Sequence, residues 1–163
     1  MRTSVRIRES WPLLCGLLVS VFFSGQALAV TRTWQYPVSG TWHVPGNWYP
    51  SDDYPRSSDT AIVDQGEAQI LDPNYAGADA DRLFIGLGSG TRGTVSLMGG
   101  QSLTLYYEPD DLENEWDAGL VVGGAGEGTF RHISGNLFAE HVAMGVSATG
   151  TLTSTTCSSS SRR

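Results

Sequence analysis

Chemistry in this 163-residue chain would have to come from a few groups of side chains. The densest is "EPDDLENEWD", Glu108 to Asp117, with six carboxylates. Hard cations such as calcium take several oxygen ligands, so a calcium site is one reading of it. A carboxylate pair beside Trp116 would suit glycoside hydrolysis or uronate lysis. The spacing is not that of an EF-hand and no glycine marks the sharp turn, so the stretch reads first as a solvated acidic loop. Asp72, Asp79 and Asp81 could also offer oxygens to a cation, and turn chemistry accounts for them equally well. His43, His132 and His141 are dispersed. His132 is expected to find a partner within its own turn of chain rather than a metal. The chain holds no Cys-x-x-Cys, His-Glu-x-x-His or Gly-x-Ser-x-Gly arrangement. Neither a catalytic residue nor a metal ligand is assigned.

The stretch "LVVGGAGEGTFRHISG", residues 120–135, looks at first like a strand and a phosphate-cradling loop. A dinucleotide site needs a helix after the glycines, because the helix N-terminus binds the pyrophosphate. Here "TFRHISGNLF" follows, β-branched and aromatic, with a turn at Gly135-Asn136. A Walker loop requires lysine, and all ten basic residues of the chain are arginine. No cofactor is expected.

Aromatic residues gather near Trp34, Tyr36, Trp42, Trp48, Tyr49 and Tyr54. Such a cluster can close the open end of a β-structure. Its faces can also stack on sugar rings, and Trp42, Trp48 and Trp116 are the candidates for that role.

The elements that would position these groups follow from an internal repeat. Three apolar residues precede a glycine in each of three segments. They are Leu83-Phe84-Ile85 before Gly86, Leu120-Val121-Val122 before Gly123, and Val142-Ala143-Met144 before Gly145. A Gly-Thr pair then opens a second strand at Gly93, Gly128 and Gly150. An apolar and then a polar residue come next: Val95-Ser96, Phe130-Arg131, Leu152-Thr153. That is the inside–outside alternation of a strand. A further turn at Gly100 and Gly135 leads to a third short strand in the first two copies. The spacings Gly123 to Gly145 and Gly128 to Gly150 are both 22 residues. Three short strands in such a length predict one coil of a solenoid. The interval from Gly86 to Gly123 is 37 residues, and the excess lies in Tyr106 to Ala118, a loop extruded between coils.

The recurring "IG…GT…GG…L" pattern resembles the short repeat associated with autotransporter (type V secretion) and PEP-CTERM proteins. "GTWHVPGNWYPSDDYPRSSDTAIV", from Gly40, resembles the lead-in of such exported chains, through Trp42, Asn47, Trp48, Pro55 and Asp59. The likeness covers roughly residues 34 to 153. It implies a right-handed parallel β-helix, secreted or displayed on the surface, and carries no known catalytic residues.

The N-terminus agrees with export. Arg2, Arg6 and Arg8 precede an apolar run from Leu13 to Phe23, and Ala27-Leu28-Ala29 suits signal peptidase, so residues 1–29 read as a signal peptide. The run is too short for roughly 30 Å of hydrocarbon, and no membrane span is expected after cleavage. From Val30 onward there are 16 acidic and 7 basic residues, 7 − 16 = −9. Such a balance argues against nucleic acid and anionic membrane as partners. Cys15 would leave with the signal, and Cys157 alone forms no intrachain disulfide.

Cys157 stands where the pattern expects the turn glycine matching Gly100. "STTCSSSSRR" then closes the sequence without a third strand, cap or sorting segment. It reads as a truncated N-terminal piece or as a disordered tail, and truncation is favoured.

The sequence thus predicts an all-β chain with four parts: a signal peptide (1–29), an aromatic-rich cap and lead-in strands (30–81), two to three β-helix coils (82–153) with an acidic loop (106–118), and a Ser/Arg tail (154–163). The expected function is non-enzymatic: an exported, surface-displayed or secreted adhesin-like repeat segment. Its expected partners are surface polysaccharide or other repeat segments. The alternative is a carbohydrate-binding module or the N-terminal fragment of a polysaccharide-degrading β-helix enzyme.

Overall fold

The computed structural model describes residues 28–108 and 116–154. Most of the expected signal peptide, seven residues of the acidic loop and all but the first residue of the expected tail lie outside the described residues. Among the described residues fourteen strands, numbered in chain order, form three sheets. The first sheet holds β1 (Thr31–Trp34), β3 (Trp48–Tyr49), β4 (Thr60–Val63), β7 (Arg82–Ile85), β10 (Leu120–Val122) and β13 (Val142–Met144), in the order β13-β10-β7-β4-β1-β3. The second holds β2 (Ser39–Thr41), β5 (Glu67–Ile70), β8 (Arg92–Leu97), β11 (Glu127–His132) and β14 (Gly150–Ser154), in the order β14-β11-β8-β5-β2. The third is β12-β9-β6, from Asn136–Phe138, Ser102–Leu105 and Ala78–Ala80. A single 3-10 turn, Pro45–Asn47, is the one helical element among the described residues.

Alternation within each strand divides its side chains between core and surface. In β5, Ala68 and Ile70 are buried while Glu67 and Gln69 are not. Pairing in register then stacks like upon like. Ala61, Leu83, Leu120 and Val142 form one column, and Val63, Ile85, Val122 and Met144 the next. In the second sheet Ala68, Val95, Phe130 and Leu152 align. The repeated glycines align as well: Gly93 lies beside Gly128, and Gly128 beside Gly150.

The expectation of a right-handed parallel β-helix with two to three coils is corrected by this arrangement. The chain forms three sheets, and the largest is mixed, because β3 runs antiparallel to β1. The physical cause lies in the chain between them. After β2 the Pro45–Asn47 turn sends the chain back along β1, which sets Trp48 opposite Trp34. The parallel pairings also begin well before the glycine repeat. β1 pairs with β4, β2 with β5, and β4 with β7.

The end of the core nearest the N-terminus is closed by tryptophans. Trp34 meets Trp48 edge-on with ring centroids 5.1 Å apart, and Trp42 meets Trp48 at 4.7 Å. Edge-to-face contact of this kind adds about 0.5–1.5 kcal/mol per pair beyond simple burial. Trp48 Nε1 donates to Trp42 O and Trp34 Nε1 to Tyr36 O, each at 2.7 Å. Beside them Arg32 occupies an inward position next to Ala61. Its buried guanidinium donates to Asp59 at 2.9 Å, to Asp52 at 2.8 Å, and to the carbonyls of Pro50 and Asp53.

Candidate functional site

The glycine stretch at 120–135 is strand, turn and strand. No helix follows Gly123, and residues Glu127–His132 form β11 between β8 and β14. Gly123 takes φ 75°, and a Cβ there would lie 2.4 Å from Thr149 O. A Cβ on Gly128 would lie 2.3 Å from Ile85 O. These glycines admit close approach of one turn to the next. Gly86 and Gly145, with φ of 68° and 64°, end β7 and β13 as Gly123 ends β10. Gly100 and Gly135 make the turns before β9 and β12, with φ of 75° and 101°.

Trp42 and Trp48 are both 0 % exposed. Neither offers a ring face to a sugar, because both faces are taken up by the core. Trp116 is half-buried and lies over the outer face of the first sheet. Its ring sits against Gly124, where a Cβ would approach to 2.8 Å, and packs with Phe84, Val121 and Ala118. Arg82 fastens this end of the acidic loop by donating to the carbonyls of Trp116 and Ala118. Its guanidinium also stacks on Tyr107 at 4.1 Å and on Phe84 at 4.8 Å. Tyr107 O–H donates to Asp117 at 3.4 Å. Both described ends of the loop are thus tied to the sheet. Of the carboxylates in Glu108–Asp117, only Glu108 and Asp117 belong to the described residues.

His132 Nε2 contacts Gly135 O at 2.9 Å, a partner within its own turn. His141 lies just before β13, far from His43 along the sheet order. Asp72 accepts from Asn74 N at 2.9 Å, which is an ordinary Asx turn. No group of three or more His, Cys, Asp or Glu among the described residues could hold a metal ion. No helix among them is long and apolar enough to cross a membrane.

Two polar constellations escape sequence reasoning. His43 is buried, stacked on Tyr75 at 4.2 Å and edge-on to Tyr54 at 5.1 Å. Its Nε2 meets Gly77 O at 2.8 Å, whereas Nδ1 has no partner among the described residues. Burial pushes its pKa down, against the raising effect of the Gly77 carbonyl. Its partners come from loops whose geometry no local pattern encodes. On the outer face of the second sheet, Glu67 accepts hydrogen bonds from Ser96, Ser39 and Gln69, with Arg131 at 3.7 Å. Burial works against its ionisation, yet the three hydrogen bonds and Arg131 hold its carboxyl below the usual range. The register of parallel strands creates this cluster, because Glu67 and Arg131 are separated by two strand positions in the sheet.

The far end of the molecule differs in kind. Val142 and Leu152 are each 45 % exposed and Met144 is 44 % exposed, although their partners in register are fully buried. Among the described residues no strand lies beyond β12, β13 or β14. Comparison with known protein families, with curated proteins and with solved structures finds no match for this chain.

Proposed function

We propose that the chain is a non-enzymatic structural repeat segment of an exported protein, of the autotransporter or PEP-CTERM-associated kind. It would be displayed on the cell surface or released. Its lateral loops would make adhesive contacts with surface polysaccharide or with other repeat segments. One observation carries this reading most directly. The repeated Gly-Thr pairs lie side by side in register, so sequence repetition is spent on stacking strands. The 106–118 loop is the largest departure from that repetition. It is secured at both described ends, by Arg82, Tyr107 and Trp116, which suits a loop held out for contact.

Carbohydrate stacking on Trp42 or Trp48 is not carried forward, since those rings are enclosed. Melting the purified protein with a panel of polysaccharides tests the choice. A segment that adheres to other repeat segments keeps its Tm, while one that binds polysaccharide gains Tm in proportion to the logarithm of ligand concentration. Export is tested separately. A reporter enzyme that is active only outside the cytoplasm, joined after Ser154, should be active in the bacterial host; an inactive reporter, with the fusion protein retained in the cytoplasm, would refute export.

A further inference from the structure

We propose that the exposed end formed by β12, β13 and β14 binds a second copy of this chain, edge to edge along β14. Three features of that end converge. The first is an unfinished core. Leu137, Val142, Met144 and Leu152 continue the columns of Leu103, Leu120, Val122 and Phe130, and the last four are fully buried. The second is the backbone. Gly128 N donates to Thr149 O at 3.0 Å, and the alternation of a parallel ladder then turns the N–H and C=O of Leu152 away from β11. Leu120 N likewise donates to His141 O, and Gly145 N to Val122 O, which turns the backbone groups of Val142 and Met144 outward. Such an edge is a template for another strand.

The third feature selects the occupant. The strand β14 reads Thr151-Leu152-Thr153 at its centre, the same in both directions. In an antiparallel pair related by a two-fold axis, Leu152 stands opposite its own counterpart and Thr151 opposite Thr153. Apolar side chains remain inward and hydroxyls outward, as an isologous contact requires. The outward N–H and C=O of Leu152 are the pair that such a partner would satisfy. Charge permits the approach. The chain carries a net −7, yet β12, β13 and β14 contain no charged residue. Residues 155–163, "TTCSSSSRR", bring no aliphatic or aromatic side chain, so that segment does not fit the apolar end.

Sedimentation of the full chain over a range of concentrations tests the proposal. A monomer–dimer equilibrium is expected. Leu152→Asp would set like charges opposite each other and weaken the dimer by more than about tenfold. Leu152 is half-exposed, so circular dichroism of this variant should stay unchanged. In a Cys15→Ser, Cys157→Ser background, Leu152→Cys should form a disulfide-linked dimer on mild oxidation, since facing Cα atoms about 5.5 Å apart lie within disulfide range. Val38→Cys, at an exposed position away from β14, should not cross-link. A chain that stays monomeric at all concentrations overturns the proposal. So does a dimer that L152D leaves intact, or equal cross-linking of V38C and L152C.

Discussion

Arg32 shows how a single side chain can be both buried and ionised. Its inward position would suit an aliphatic residue, yet Asp59 meets it at 2.9 Å with both side chains almost wholly enclosed. Burial opposes the charge, and the hydrogen bonds to Asp52 and Asp59 outweigh it, so the guanidinium pKa rises. Asp59 also accepts from the backbone N–H groups of Val30 and Arg56. Asp59→Ala removes all of these and leaves a buried cation, so it should destabilise the fold by about 3–5 kcal/mol in urea titration. An effect below 1 kcal/mol would mean that Asp52 and the carbonyls suffice. His43 gives a second prediction at this scale. Its pKa is lowered on folding, so the unfolded chain binds a proton more readily. Stability is then complete above the unfolded value near 6.5 and falls as pH drops through the folded value. Tm should decline as pH falls below about 6.5, and His43→Phe should remove that slope. Asp72, Asp79 and Arg56 act on the same imidazole, the two aspartates raising its pKa and Arg56 lowering it. Neither partnership was legible in sequence, because the pairing of β1 with β4 brings Arg32 to Asp59 and loop geometry brings His43 to Gly77.

At the scale of elements, the glycine columns were the most legible feature. The alignment of residues 83, 120 and 142, and of the Gly-Thr pairs, is the register found in the sheets. The earlier strands were harder to read because they carry only fragments of the signature. Asp64 follows Val63 where Gly86 follows Ile85, and Glu67 follows Gly66 where Thr94 follows Gly93. Asp64 serves through its side chain, accepting from Leu87 N and Gly88 N. The antiparallel return of β3 left no periodic trace at all. Sequence composition also could not separate an enclosed tryptophan from an exposed one, so Trp42, Trp48 and Trp116 looked alike. A glycine comparison tests the close-approach argument. Gly93 has no left-handed φ, but a Cβ there would lie 1.7 Å from Val63 O. Gly100 has φ 75° with nothing within 4 Å. Gly100→Ala should cost only the left-handed penalty, about 1–2 kcal/mol. Gly93→Ala forces two strands apart and should cost more than that, with loss of the native circular dichroism signal as the extreme outcome. Equal costs would mean that turn conformation alone selects these glycines.

Over the whole molecule the two ends of the core are unequal. One is closed by Trp34, Trp42 and Trp48, with Arg32 and Asp59 beside them. The other stops at half-exposed Val142, Met144 and Leu152. Each strand layer is supported by the neighbours it pairs with, so a layer with one neighbour gains about half the contacts of one with two. Opening should therefore begin at β12–β14 and proceed toward the tryptophans. Hydrogen exchange at low protein concentration, where self-association is minimal, tests this. Amides of β4, β5, β7 and β8 should exchange only through near-global unfolding, whereas those of β13 and β14 should exchange orders of magnitude faster. Raising the concentration should slow exchange at Leu152 first, because its outward N–H is the one that a second chain paired along β14 would engage. Uniform protection from β1 to β14 would mean that the molecule opens as one unit. In that case the tryptophan-closed end would stabilise the whole column equally, and the exposed end would be no weaker than the rest.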